Sequence, residues 1–546
     1  MDGSTSTIPA RFFAIAAAQP REVFLQRREG ERLTALTFGQ IRDAVEDLRD
    51  HLLCQDFDRG SRIALLSENS HDWIVTYLAV VAAGLIVVPL DTGMAISDLC
   101  NIIDASGSRL VFCSEKFFDA ISDALARQNS SAAATRMTSL PLSRSVAKQP
   151  PELSSSDVAS IIYTSGTTGH SKGVALTHAN LLSNVDACAI VCDIQPHDDF
   201  LLILPLHHTF ACTVSLLLPM AMGARVTLAT SYRSRDLIDD INISKATVLA
   251  AVPQLFDGMM SGILRAVESA GKSKRVLFTF LRAVSRSLRR LGLNPGYGLF
   301  KSLRQRAGVD TVRLFVSGGA ALPAAVNEFF EDLGMTLTQG YGLTECSPVL
   351  AVNPASKNKI GSVGPALPGV SLKIDSPDQI GVGEVLARGP NIMQGYFENI
   401  EATEAIRSGE WLRTGDLGYL DEDGYLFLTG RLKNLIVTHA GKNVYPEEIE
   451  TKLRGELAIA EVLILTSKKG NRDGDTLCCL IRPNIDYLQS HHPNDSPDDV
   501  VGSVIREYNK HVPAYQKIRE WRILDGEFSK TSTGKIKRFL YADEFA

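Results

Sequence analysis

Residues 161–178 read IIYTSGTTGHSKGVALTH. An apolar start at Ile161, Ile162 and Tyr163 gives way to a run of Gly, Ser, Thr, His and Lys, and an apolar strand resumes at 174–176. A loop of this make-up between buried strands leaves backbone N–H groups unpaired and free to hold an anion. Gly166, Gly169 and Gly173 permit the tight backbone; Thr164, Ser165, Thr167 and Thr168 add hydroxyl donors; Lys172 adds a compact positive charge. That combination suits a polyphosphate. The bland alternative is a surface turn, which Ser/Thr/Gly runs usually are. A Walker loop does not fit, because it ends Gly-Lys-Ser/Thr, whereas here Ser171 precedes Lys172 and Gly173 follows it.

Other stretches carry chemistry-bearing residues at strand ends. Val316-Ser317-Gly318-Gly319-Ala320-Ala321 follows an apolar run at 313–315, and Pro323 is placed to open a helix. LTQGYGLTECSP at 337–348 is a second strand-to-loop switch. Both loops should leave one sheet at its carboxyl end, the usual ligand crevice of α/β sheets. The runs 411–416 and 429–431 bracket a hairpin whose turn is Asp421-Glu422-Asp423-Gly424. There Asp416 can accept from two hydroxyls and Arg431 can donate to a sugar or a phosphate. Each could equally be a turn carboxylate or a surface Arg. LLILPLHHTF at 201–210 delivers His207 and His208 from a buried strand that stops at Pro205, although a lone His near a core is usually structural. KTSTGK at 530–535 reads as a flexible loop with two lysines, or as a frayed terminus.

These residues need a large scaffold. The chain has 546 residues, enough for one large and one small domain with a true core. Apolar residues make up 45% and charged ones 22%, as in an ordinary globular protein. A net charge of −6 argues against a general nucleic-acid binder. Nine cysteines show no metal-site spacing and mostly sit in apolar runs, which fits a reducing, cytoplasmic setting. The N-terminus lacks the pattern of a signal peptide. Two uncharged runs, 73–90 and 200–224, are long enough to prompt a membrane check. Gly84 divides the first into a helix and a β-branched strand, while Pro205, Pro219 and the two histidines interrupt the second, so both read as buried α/β core. From 62 to 113, strand-like and helical runs alternate, which predicts parallel strands with crossover helices. Residues 128–157, rich in Ser, Ala and Pro, read as a surface linker.

In order, spacing and residue type these stretches resemble the adenylate-forming superfamily: acyl-CoA synthetases, aryl-CoA ligases, luciferases and peptide-synthetase adenylation domains. The resemblance covers essentially the whole chain. One departure is Ser171, where the family usually has Pro. The fold it implies is a large α/β N-terminal domain, residues 1–431, of stacked mixed and parallel sheets with helices and a small β-barrel-like part. A hinge joins this to a small, mobile α+β C-terminal domain, residues 432–546. It implies ATP and Mg²⁺ as cofactors and coenzyme A as co-substrate. The loop 163–173, with Thr164, Ser165, Gly166, Thr167, Thr168 and Gly169, would take the phosphates alongside Lys172. Gly319, Ala320, Gln339, Gly340, Tyr341 and Gly342 would line the adenine, with the Tyr341 ring stacked on it. Thr344 would donate to the α-phosphate, and Glu345, with Thr164, would hold Mg²⁺, which requires hard oxygen ligands. Asp416 and Arg431 would hold the ribose side. Lys433 falls on the hinge, Gly441 on a loop lining the pantetheine channel, and Lys535 rather than Lys530 on the catalytic lysine of adenylation. His208 takes the position that guards the acyl mouth, and His207 a slot more often filled by an aromatic residue.

The implied reaction joins a carboxylic acid to ATP as acyl-AMP, releases pyrophosphate and passes the acyl group to coenzyme A. A catalytically dead adenylate-binding scaffold would lack Lys172, Glu345 or Lys535, and all three are present. The text around His207, Gly340 and 437–450 looks most like long-chain fatty acid–CoA ligases, which makes a medium-to-long-chain fatty acid the expected substrate. An aryl-CoA ligase, or a fatty acyl-AMP ligase that loads an acyl carrier protein, is the runner-up. Residues 269–309 hold ten Lys/Arg and no Asp or Glu, interleaved with apolar residues. This reads as a basic amphipathic helix, either peripheral at the inner face of a membrane through 272–306 or solvated on the domain edge.

Overall fold

The computed structural model describes residues 7–137, 149–164, 171–438, 442–467, 476–530 and 536–545. The chain divides into two compact units. The first comprises Met1–Leu322, Val326–Leu372 and Ala387–Leu412; the second comprises Pro323–Ala325, Lys373–Leu386 and Arg413–Ala546.

Two large sheets form the first unit. In one, strands Arg62–Leu66, Ile86–Pro89 and Leu110–Cys113 run parallel, joined by helices His71–Ala82 and Ile96–Ala105. This is the alternation predicted for 62–113. Ser70 starts the first of these helices by accepting the Trp73 N–H, and Trp73 to Ala82 are buried save Val75. The apolar run at 73–90 is therefore a core helix followed by a core strand. The sheet continues through Val158–Thr164 to the antiparallel Lys172–Thr177 and Gly395–Tyr396. Its other edge is Ala133–Arg136, a strand within the stretch read as a linker.

The second sheet has Val23–Glu29, Arg225–Leu228, Asp199–Leu202, Val248–Ala251, Leu314–Ser317 and Leu337–Gly342 in parallel. Antiparallel strands Arg32–Thr37 and Val349–Val352 close its edges. The strand before the histidines ends at Leu202, short of Pro205. Thr209–Cys212 then runs through a π-helical turn, Thr213–Leu217, into Leu218–Met222, buried throughout except for Phe210 and Met222. Phe24, Phe38, Trp73, Tyr77 and Phe200 fill one core shared by the two sheets. Among the described residues no helix is long and apolar enough to cross a membrane.

In the second unit, Ile459–Ser467, Thr476–Pro483 and Ile518–Ile523 form a sheet covered by helices Pro446–Arg454 and Pro497–Lys510. A further sheet, of Ser371–Asp375, Gly383–Arg388, Trp411–Leu420 and Leu426–Arg431, falls for the most part in this unit.

The basic stretch departs from expectation. It folds as Lys272–Arg289, Gly296–Leu299 and Lys301–Arg306, with several of its charges turned inward. Arg282, Arg286 and Arg289 converge on the fully buried Asp332 at 2.9, 2.7 and 2.8 Å. Arg304 donates to the carbonyls of Leu333 and Tyr297 and pairs with Asp310. A buried carboxylate is tolerated when it is matched in this way.

His178 yields a stability prediction. Its Nδ1 accepts the Ile8 N–H at 3.3 Å, which pins the first helix and requires that nitrogen to be unprotonated. Burial lowers its pKa to about 4. The unfolded chain therefore takes the proton first, so this stability is complete above an ordinary histidine pKa and is lost as pH falls toward 4. The total is about 3 kcal/mol. His178→Gln is expected to flatten the fall of the urea midpoint between pH of about 6.5 and about 4.

Candidate active site

Strands Val158–Thr164 and Lys172–Thr177 form a hairpin in which Thr164 lies opposite Lys172, and the Thr164 hydroxyl approaches the Lys172 carbonyl at 3.5 Å. A Cβ on Gly173 would stand 2.8 Å from Ile161 and 3.0 Å from the Tyr163 ring, so this position needs glycine for close approach. Ser165, Gly166, Thr167, Thr168 and Gly169 lie outside the described residues, as do Gly441 and Lys535.

Lys172 does not stand alone. Gly395 and Tyr396 pair with Ala175 and Val174 on its strand, which sets the Tyr396 ring 5.0 Å from the Lys172 ammonium. The Tyr396 hydroxyl donates to Glu345 Oε1 at 2.7 Å. Burial and the Glu345 charge raise the Tyr396 pKa, so the phenol stays a donor. Lys172, Tyr396 and Glu345 thus form one group, although Glu345 is 173 residues from Lys172 in sequence. Tyr396 is the member that sequence reasoning missed. Its signal is the run GPNIMQGY at 389–396, punctuated by Gly and Pro like the other functional loops.

The Glu345 turn is fixed from several sides. Thr344–Cys346 is a single 3-10 turn, and the Glu345 carbonyl accepts the Met393 N–H at 2.8 Å. Asn391 donates to the Cys346 and Val349 carbonyls, and Asn184 also donates to Val349. The Thr213 hydroxyl, at the start of the π turn, donates to the Ser347 carbonyl. A Cβ on Gly342 would fall 1.8 Å from the Pro348 carbonyl oxygen, so no other residue fits there.

The strands Leu314–Ser317 and Leu337–Gly342, which lead into the two loops expected to line adenine, are adjacent and parallel, with Ser317 opposite Gln339. Gly319 has φ +82°, a left-handed conformation natural to glycine, and a Cβ on Gly318 would meet the Phe210 ring at 2.7 Å. Gln339 and Tyr341 are buried, Ala320, Gly340, Thr344 and Glu345 are half-buried, and Gly319 and Gly342 are exposed.

His207 and His208 follow a turn held by Asn69, which donates to the Leu204 carbonyl and accepts from the Leu206 N–H. His207 Nε2 is 3.3 Å from Asp91 Oδ1 without forming a hydrogen bond, and the two imidazoles stand 4.2 Å apart. Burial, then the neighbouring His207, lowers the His208 pKa to about 4. His208 is therefore neutral at physiological pH, with a buried Nε2 that has no hydrogen-bond partner among the described residues. One ligand atom each from Asp91, His207 and His208 lies within 4.8 Å of the others. Two imidazoles would favour a softer cation than the Mg²⁺ of a nucleotide, whereas the Glu345 carboxylate is a hard oxygen donor suited to Mg²⁺.

In the second unit, Asp416 and Arg431 face each other across the predicted hairpin, with Arg431 Nε 2.7 Å from Asp416 Oδ1. Thr414 accepts the Asp416 N–H and donates to the Val385 carbonyl, which fixes the bend at Gly415. Lys433 lies in the turn just after Arg431, its pKa lowered by desolvation and then by the Arg431 charge. Lys530 is held by Glu461 at 2.5 Å.

The profile of the AMP-binding enzyme family matches residues 12–397. The chain belongs to that family. One relative of this AMP-binding enzyme is named long-chain-fatty-acid–CoA ligase FadD15, from Mycobacterium bovis. It is 28% identical, with 100% of this chain and 96% of the relative covered. Another is long-chain-fatty-acid–[acyl-carrier-protein] ligase AEE15 of Arabidopsis thaliana, 26% identical over 89% of this chain and 76% of its own length. ATP-bound MatB from Rhodopseudomonas palustris shares the fold with a TM-score of 0.81, at 23% identity over 99% of this chain and 100% of MatB. The α/β architecture with a smaller C-terminal part is therefore that of an AMP-binding enzyme.

Proposed function

We propose that this AMP-binding enzyme activates a medium-to-long-chain fatty acid with ATP and transfers the acyl group to coenzyme A. The observation that carries this reading is the similarity to a long-chain fatty acid–CoA ligase along the whole chain. In the first step a carboxylate oxygen attacks the α-phosphorus, the bond to pyrophosphate breaks, and acyl-AMP forms. No general base is needed, because a carboxylic acid is already ionised at neutral pH. Charge grows on phosphate oxygens, so fixed positive groups and dipoles supply most of the catalysis. Lys172, the loop at 165–169, Thr344 and Lys535 are assigned to that charge. Glu345 and Thr164 would hold Mg²⁺, whose contribution is to neutralise the nucleotide phosphates. Gly319, Ala320, Gln339, Gly340, Tyr341 and Gly342 are assigned to adenine, and Asp416 and Arg431 to ribose. The neutral His208 can donate from its unpaired Nε2 to the substrate carboxylate without binding it as an ion pair.

In the second step the sulfur of coenzyme A attacks the acyl carbon, the bond to AMP breaks, and the thiol proton leaves to solvent. Residues 432–546 are assigned to turn about Lys433 between the steps, which withdraws Lys535 and presents the loop at Gly441 to pantetheine. The carrier-protein ligase among the relatives keeps a second acceptor in view. The test is incubation with ATP, Mg²⁺ and a ladder of carboxylic acids, with and without coenzyme A, followed by mass spectrometry. Acyl-CoA peaking at long chains is expected. Acyl-AMP that accumulates with coenzyme A present would transfer the enzyme to the carrier-protein class, and a peak at aryl acids would replace the substrate.

A further inference from the structure

The helix Lys272–Arg289 is oriented against its own composition. Phe278, Leu281, Arg282, Ser285 and Arg289 share its inner face, where the aromatic and leucine side chains join the core around Phe329 and the arginines reach Asp332. Spacings of four, three and four residues place Val276, Phe280, Ala283 and Ser287 on the opposite, outer face. Val276 is 66% exposed, Leu277 54% and Phe280 63%. Leu291, Leu293 and Tyr297, in the segment that follows, are exposed as well. Single exposed apolar residues are normal on a protein surface, but three on adjoining helix positions with more close behind are not.

The charges that this segment itself supplies all have one sign. With Arg282, Arg286, Arg289 and Arg304 engaged internally, Lys272, Lys274, Arg275, Arg290, Lys301 and Arg306 remain exposed, and residues 269–309 contain no Asp or Glu. The protein as a whole carries −6, so the cationic segment stands out from a surface of opposite net charge. A water-soluble protein partner would offer acidic groups or an apolar pocket. A bilayer with anionic headgroups offers both negative charge and an apolar layer a few ångströms below it, the pairing that interfacial helices exploit.

We propose that the outer face of Lys272–Arg289, led by Val276, Leu277 and Phe280 and flanked by Lys272, Lys274 and Arg275, docks on an anionic lipid bilayer. The inference deepens the proposed function, since a long-chain fatty acid partitions into the same phase, and it rests on that reading for its purpose but not for its geometry. The apolar outer face inserts between headgroups while the cations hold the surface by long-range attraction. The internal ion cluster on Asp332 fixes which side of the helix faces outward.

The experiment is cosedimentation of the full chain, without substrates, with vesicles of phosphatidylcholine alone or mixed with phosphatidylglycerol, at low and high salt. Binding to the mixed vesicles is expected, weakened by salt and by omission of phosphatidylglycerol. The substitution Val276→Glu with Phe280→Glu is expected to weaken it at least about tenfold, and Lys272→Ser with Lys274→Ser and Arg275→Ser to weaken it about fivefold per charge. All these positions are exposed, so unchanged thermal unfolding of each variant is the control. Failure of the wild-type protein to pellet, binding indifferent to phosphatidylglycerol, or full binding by both variants would overturn the proposal. Acid-dependent ATP–pyrophosphate exchange, measured separately in vesicle-free solution with a medium-chain acid, reports on the ligase reading, so either can fail without the other.

Discussion

Glu345→Gln is expected to slow acid-dependent ATP–pyrophosphate exchange by about two to three orders of magnitude, the cost of removing one preorganised electrostatic group from a phosphoryl-type transition state. Gln keeps the volume and can still accept the Tyr396 hydroxyl, so the change removes chiefly the negative charge. The turn is held by Met393, Asn391 and Asn184 through backbone carbonyls that the substitution does not touch. The unfolding midpoint should therefore stay near wild type. Tyr396→Phe leaves the charge but frees the carboxylate to rotate, and a smaller loss of about tenfold is expected, the size of one hydrogen bond to a charged group. Extra Mg²⁺ should recover part of the Tyr396→Phe loss and little of the Glu345→Gln loss. Exchange by Glu345→Gln within a few-fold of wild type would remove Glu345 from the assigned role.

Lys535→Ala is expected to separate the two half-reactions. Adenylation, read by pyrophosphate exchange, should fall by about two to three orders of magnitude, since one charge on the developing phosphate is lost. Conversion of supplied acyl-AMP and coenzyme A to thioester should remain within a few-fold of wild type. Lys530→Ala is the control, because Lys530 is already engaged with Glu461 and its loss should leave adenylation unchanged. Lys433→Pro is the mirror image, expected to spare adenylation and impair thioester formation by stiffening the proposed hinge. Equal loss of both half-reactions in Lys535→Ala would sink the assignment.

The sequence made legible whatever depended on local rules. Alternation from 62 to 113 predicted the parallel strands, and the punctuation at Gly84 separated core helix from core strand. The hairpin turn at 421–424 paired the two strands, whereas the β-bulge between Leu417 and Gly418, which shifts the register by one and brings Asp416 opposite Arg431, had no local signal. Contacts made across the fold were not legible. Tyr396 reaches Glu345 through a two-residue strand paired to the Lys172 strand, and no local pattern announces that pairing. Asp91 meets His207 because two sheets present their strand ends to one place. The helix Lys272–Arg289 is the clearest case. Periodicity says which residues share a face, but which face turns inward was decided by the buried Asp332, outside the helix.

The central claim is that a carboxylate attacks the α-phosphorus of ATP. The most direct measurement supplies a long-chain fatty acid labelled with heavy oxygen in both carboxylate positions, together with ATP, Mg²⁺ and coenzyme A, and weighs the nucleotide product. AMP carrying one labelled oxygen is expected, with the other retained in the thioester carbonyl. Unlabelled AMP, or ADP in its place, would mean that the acid never attacked that phosphorus and would rule out activation through acyl-AMP.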